Sequence, residues 1–193
     1  MSRWLVVSGA VLWGATVLGG FGVLNVYAST PGAAGAAPDA WPEQAGAPDA
    51  TRPTLVFFAH PGCPCTLAST EELHRLATHC VGKLAIRAWV YADPEWGPEE
   101  LESQVYHRLV EVTGAEVAVD RGGEMARRFG ARTSGQALLY AADGRLLFSG
   151  GITPSRGCQG DNTGRLAIER LVRGQVGPLS APVYGCSLTG VGP

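Results

Sequence analysis

Charge is scarce in this 193-residue chain. Charged residues make up 17% of it, and the net charge is −2. No polybasic or acidic surface follows from that balance, which removes nucleic acid as a partner. The glycine pairs Gly122-Gly123 and Gly150-Gly151 lack phosphate-loop spacing, so nucleotide binding has no support either. Between Arg3 and Arg52 there is no Lys or Arg at all. The five cysteines are an odd number, so at least one is free, metal-bound or paired outside the chain.

The cation-free stretch begins with Trp4 to Val26, almost uninterrupted apolar or small residues. That run is long enough to cross a bilayer, with Trp4 and Tyr27 suited to the two interfaces. Arg3 precedes it, so the positive-inside rule keeps the N-terminus in the cytoplasm and exports the rest. The expectation is a single-pass inner-membrane protein with its C-terminal domain in the periplasm. A cleaved signal peptide is the other reading, since Val26-Tyr27-Ala28 is an acceptable cleavage site, although the run is long for one. Residues 1–28 are thus an anchor or signal sequence. Residues 29–53 are rich in Ala, Gly and Pro and have no periodicity, so they read as a linker holding a soluble domain off the membrane. Trp41 is the one residue there able to dock.

The rest of the chain is organised around the stretch from Thr54 to Thr66. Leu55 to Ala59 is an apolar run rich in Val and Phe, a buried strand. Pro61-Gly62 breaks it. Pro64 suits the first position of a helix, where its missing N–H costs nothing. Cys63 therefore falls at the N-cap and Cys65 in the first turn. Free N–H groups and the positive end of the dipole favour a thiolate there, and the thiolate is the reactive form. The pattern points to redox or soft-metal chemistry, against a bland reading of two inert or structurally paired thiols.

The first helix spans about Pro64 to His79. Leu73, Leu76, Ala77 and Cys80 share one face, which makes Cys80 a small buried residue. Leu84 to Tyr91 is the second strand. A helix opening at Pro98-Glu99-Glu100 carries Leu101, Val105, Leu109 and Val112 as its apolar stripe and ends at Gly114. Ala115 to Val119 is a short strand and Gly123 to Phe129 a short helix. Gln136 to Ala141 and Arg145 to Ser149 form a hairpin about Ala142-Asp143-Gly144, ended by Gly150-Gly151. Asp161 caps a last helix that Gly174 closes. The order β-α-β-α-β-α-β-β-α implies an α/β fold, a three-layer α/β/α sandwich with a mixed central sheet. The domain is expected over residues 54–174, and a Gly/Pro-punctuated tail over 175–193.

His60 lies just before the turn. It holds the thiolate, ligates a metal, or simply contacts backbone as a strand-end histidine. His74, His79 and His107 read as helix-surface residues. Cys158 and Cys186 sit in irregular segments. In an oxidising compartment their pairing is the economical expectation, a structural disulfide closing a loop of roughly 30 residues worth ~3 kcal/mol in the chain-entropy view. The alternative brings Cys186 to the Cys63/Cys65 corner as a resolving thiol or third metal ligand.

Element order and cysteine position together resemble the thioredoxin-like superfamily over about Thr54 to Gly174. His60-Pro61-Gly62-Cys63-Pro64-Cys65-Thr66 and Gly185-Cys186 are similar to membrane-tethered bacterial proteins of the RedB type. The resemblance implies periplasmic thiol–disulfide exchange with protein thiols or disulfides. It makes Cys63, Cys65 and His60 the catalytic residues and Pro64, Ser134 and Gly135 the substrate-docking ones. Two departures stand out. The superfamily's Cys-Gly-Pro-Cys becomes Cys63-Pro64-Cys65, a tight pair whose disulfide would be strained and oxidising. A cis-proline expected before the hairpin is replaced by Gly135.

Three chemical readings are open. In a thiol–disulfide oxidoreductase Cys63 attacks and Cys65 resolves, with no cofactor. In a copper-binding or metallochaperone module, Cys63, Cys65 and His60 are ligands, since thiolates select Cu(I). A peroxiredoxin-like peroxidase would want Thr three residues before its reactive cysteine, and His60 stands there instead. A tethered domain without chemistry is the bland fourth.

Overall fold

In a computed structural model of the chain, residues 3–33, 35–97, 99 and 102–188 are described. Thr54–Ala59 forms β1, buried along its whole length. A strand buried on both faces needs apolar residues at every position, which explains the unbroken run. Leu55, Phe57 and Ala59 face one core with Leu73, Leu76, Leu109 and Ile168. Val56 and Phe58 face the other with Phe129, Ala131, Tyr140 and Leu188.

The remaining elements are α1 (Arg3–Ser29), α2 (Pro64–His79), β2 (Ala85–Ala92), α3 (Gln104–Val110), β3 (Ala115–Arg121), α4 (Glu124–Arg128), β4 (Gln136–Tyr140), β5 (Leu146–Gly151), α5 (Thr163–Val172) and β6 (Ser180–Ala181). They build one sheet in the order β3-β2-β1-β4-β5-β6. β2 pairs parallel with β1 and β3, while β4 runs antiparallel to β1 and β5. The α/β layering expected from the element order is therefore present. Cys80 is buried, as its helical spacing requires.

Several expectations shift. Helix α3 starts at Gln104 because the Ser103 hydroxyl accepts a hydrogen bond from Tyr106 N–H, a side-chain cap. The opening expected at 98–100, and Leu101 of its stripe, fall on residues 98, 100 and 101, outside the described residues; Val105, Leu109 and Val112 are buried as anticipated. Asp161 does not cap α5. Asn162 does, accepting from Arg165 N–H, while Asp161 pairs with the Arg165 guanidinium at 2.7 Å. Gly150-Gly151 does not end the hairpin either. β5 continues through both, and a Cβ at either would meet backbone of residues 181–182 at 2.5 Å. Glycine lets β6 and the chain after it approach.

The stretch 29–53 is not a free spacer. Ala40 bridges Arg145, Leu146 N–H donates to Asp39 O, and Tyr140 Oη donates to Pro38 O. Trp41 packs edge-on against Phe129 and Tyr140, with ring centroids 5.0 and 5.3 Å away, and Arg87 stacks on it at 5.5 Å. Low hydropathy hid this because backbone groups and one aromatic supply most of the contact. Trp41→Ala is expected to lower stability by about 2–3 kcal/mol. Urea unfolding would read the loss, and limited proteolysis would find 29–53 newly cleavable.

Helix α1 is 27 residues long and apolar enough to cross a membrane by length and composition.

Candidate functional site

The turn after β1 delivers the cysteines as the sequence requires. Cys63 is the N-cap of α2 in an extended conformation, and Pro64 opens the helix. Cys63 N–H donates to His60 O, closing the Pro61-Gly62 turn.

The tail brings in the third sulfur. Cys186 Sγ lies 3.0 Å from Cys63 Sγ, and Cys186 N–H points to Cys63 Sγ at 3.4 Å. The expected Cys158–Cys186 disulfide is absent: both are free thiols, and Cys158 is exposed. Backbone register explains why. Ser134 N–H donates to Cys186 O and Leu188 N–H to Arg132 O, each at 2.8–2.9 Å, and Thr133 bridges Ser187 antiparallel. Leu188 is fully buried in the second core. The segment around Cys186 is thus laid against 132–134 through one antiparallel bridge, which carries its sulfur to Cys63.

Ser134 pins this corner. It is fully buried, its hydroxyl accepts from His60 N–H at 2.7 Å and shares a hydrogen bond with the Thr66 hydroxyl at 2.6 Å. One side chain thereby joins the end of β1, the first turn of α2 and, through its own N–H, the tail. Gly135 stands with φ +90, a conformation that favours glycine, and a Cβ there would meet Ser69 Oγ at 2.8 Å. No cis peptide bond occurs among the described residues.

His60 is turned from the thiols. Its Nδ1 accepts from Gly62 N–H at 3.1 Å, and its ring stacks on Tyr91 with Trp96 edge-on beside both. Burial lowers its pKa, which favours the neutral ring. Pro64 serves as the first helical residue.

Burial alone would raise the Cys63 thiol. Hydrogen bonds from Cys186 and Thr66 outweigh it and lower the pKa below the ordinary thiol range. Cys65 goes the other way: burial raises it, and so does the charge on Cys63. Cys186 is pushed up to about 12 by burial and by its hydrogen bond to Cys63. The two sulfurs form a hydrogen-bonded pair in which thiolate character is favoured on Cys63 over Cys186.

Arg156 is the residue that sequence reasoning missed. Its charge offsets part of the rise at both Cys65 and Cys186. Its Nη1 donates to Gly185 O at 2.6 Å, and its Nε to Thr30 O at 3.1 Å. It lies in an irregular loop, and no motif marked it.

Neither a scan of family models nor a search of curated proteins finds a match. Solved structures do match. One is an uncharacterized conserved protein from Geobacillus kaustophilus, 22% identical over 72% of this chain and 78% of that one, at TM-score 0.57. Another is a hypothetical protein from Sinorhizobium meliloti, 24% identical over 84% and 96%, at TM-score 0.60. A third is a secreted disulfide oxidoreductase from Mycobacterium tuberculosis, 16% identical over 65% and 83%, at TM-score 0.47. The sheet places β1 between a parallel β2 and an antiparallel β4, with the cysteines at the β1–α2 turn. The fold is thioredoxin-like. In this thioredoxin-like domain, Ser134 and Gly135 lie opposite the cysteine turn, and the chain's own tail lies along them.

Proposed function

We propose that the chain is a membrane-anchored thiol–disulfide oxidoreductase whose redox pair is Cys63 with Cys186. The observation that carries this is the 3.0 Å approach of the two sulfurs at the N-terminus of α2. Oxidation shortens that contact to a covalent bond of about 2 Å with little movement of either backbone. In the reduced chain Cys63 is the thiolate and Cys186 supplies the second thiol. Reaction with a partner disulfide passes through a mixed disulfide. It leaves the Cys63–Cys186 disulfide here and two thiols on the partner, so two electrons and two protons move outward. The reverse reaction oxidises a partner dithiol. Cys65, whose thiol stays protonated, stands behind Cys63 as an alternative partner. Helix α1 serves as the anchor, with its N-terminus in the cytoplasm and the domain in the periplasm.

A copper module has less behind it. His60 Nδ1 is already occupied by Gly62 N–H. Among the described residues, no three His, Cys, Asp or Glu side chains gather in metal-ligand geometry.

The test is disulfide mapping of the oxidised full-length chain by mass spectrometry, combined with redox titration against glutathione. The expected result is a Cys63–Cys186 bond with a potential above about −300 mV, the level below which structural disulfides lie. Thiols that never join but bind Cu(I) stoichiometrically would overturn the reading in favour of the metal module.

A further inference from the structure

The tail that brings Cys186 to Cys63 also covers Cys63. Cys63 is 1% exposed and Cys65 8%, whereas Cys186 is partly exposed. A sulfur from another protein has no path to Cys63 while residues 185–188 stay docked. We propose that Cys186 is the sulfur that meets the partner. In the oxidised chain an incoming thiolate attacks Cys186 Sγ, the Cys63–Cys186 bond breaks, and Cys63 leaves as the thiolate. This rests on the thiol–disulfide reading above and assigns the roles within it. The sequence-based role of Cys63 as the atom that touches the partner is reversed.

The step balances. The partner sulfur is bound to Cys186 as a mixed disulfide, and the electron pair of the broken bond rests on Cys63. A second thiol of the partner, as thiolate, then attacks the partner's own sulfur in that bond and expels Cys186 as the thiolate, which takes a proton. The partner ends as a disulfide and the chain as two thiols. The substrate class is therefore a polypeptide dithiol.

Three features favour this direction. Access is the first, as above. The second is the leaving group: attack on Cys186 expels the sulfur already stabilised as an anion, and attack on Cys63 would expel the one that resists ionisation. The third is that the tail is held in register rather than loosely. A Cβ on Gly185 would lie 1.9 Å from Ser134 O, so only glycine lets the segment sit this close. Arg156 fixes Gly185 O on the other side, and Leu188 is buried one residue beyond Ser187. Cys186 is presented by a segment clamped on both sides of it, a partly exposed residue beside the buried Cys63.

The experiment uses the full-length chain carrying Cys65→Ser, which blocks onward transfer to that thiol. After oxidation, it is treated briefly with reduced glutathione, quenched with acid and alkylated. Mass spectrometry then locates the glutathione. The expected result is glutathione on Cys186 in excess over Cys63 by at least about tenfold, with Cys63 recovered alkylated. Glutathione mainly on Cys63, or on neither sulfur of a chain that had formed the Cys63–Cys186 bond, would overturn the assignment while leaving thiol–disulfide exchange standing. A chain that never forms that bond would overturn the functional reading itself. Gly185→Ala supplies the internal control. By forcing the segment off Ser134 it should expose Cys63 and move the adduct towards it. An adduct that stays on Cys186 there to the same excess counts against access as the cause.

Discussion

Cys63→Ser is expected to abolish exchange, by at least about 10³-fold in rate with a disulfide-bonded peptide as substrate. The size follows from the loss of both halves of the reaction. Serine cannot form the bond to Cys186, and its hydroxyl stays protonated at neutral pH. Cys65→Ser should cost far less, because Cys65 is the raised thiol and the close sulfur contact is between Cys63 and Cys186. A Cys65→Ser chain as inactive as Cys63→Ser would restore the Cys63–Cys65 pair as the redox couple. The pH dependence has a definite sign. A lowered Cys63 pKa moves the midpoint of thiolate formation down, so thiolate persists to lower pH than for a free cysteine. Cys186→Ala removes a hydrogen bond to the anion and should move that midpoint up. Ultraviolet absorbance of the thiolate, followed through a pH titration in a Cys65→Ser background, measures both.

Arg165→Met is expected to destabilise the domain by about 3–5 kcal/mol, a large share of the total for a domain of this size. Arg165 is buried where α5 meets α2. It pairs with Glu72 at 2.8 Å, with Asp161 at 2.7 Å and with Glu169. Glu72 has no exposed side-chain surface. Its other contacts are Gly160 N–H at 2.8 Å, the Asn162 side-chain amide at 3.5 Å and the half-exposed Arg75 at 3.1 Å. Removing the guanidinium leaves two carboxylates close together with one of them sealed from water, and neither can be rehydrated without opening the helix pair. The cost is therefore that of buried carboxylates stripped of their central shared cation, with Glu72 left only the half-exposed Arg75 and amide donors, and it exceeds the net worth of a surface ion pair. Adding Glu72→Leu to Arg165→Met should recover part of the loss, since it removes the buried charge. Urea midpoints of the two variants against the parent give the comparison. A double variant weaker than the single by a full additive increment would sink this account.

Much of the fold could be read from local pattern. Pro64 and the Cys80 face bound α2, and the continuous apolar run of β1 announced a strand covered on both sides. The placing of the cysteines at the β1–α2 corner was legible for the same reason, because a Pro/Gly turn leading into an N-cap cysteine is a local signal. What escaped was set by contacts far apart in sequence. The place of Cys186 depends on two backbone hydrogen bonds and a buried Leu188, and backbone hydrogen bonds leave no mark on residue type. Pairing it with Cys158 was reasonable by composition, whereas the register sets its sulfur beside Cys63. Arg156 was invisible because a loop arginine has no periodicity, and its partners are carbonyls at Thr30 and Gly185. His60 was placed correctly along the chain, but its ring direction is decided by Tyr91 and Trp96 on and after β2. The stretch 29–53 reads as spacer for want of apolar residues, yet it lies along the domain on the strength of Trp41 and main-chain contacts.

Those contacts change what the anchor does. Arg156 N–H donates to Ala28 O at 3.0 Å, and its guanidinium lies 5.1 Å over the Tyr27 ring. The last turn of α1 is therefore fastened to the same side chain that holds Gly185. A ball on a 25-residue string would sweep a hemisphere, and its encounters would be diluted through that volume. On the anchored reading proposed above, winding the string onto the ball holds the sulfurs at one fixed height above the bilayer. Lateral diffusion in the membrane then sets the meeting rate. Partners embedded in the same sheet of lipid gain by confinement to two dimensions, and soluble ones gain nothing.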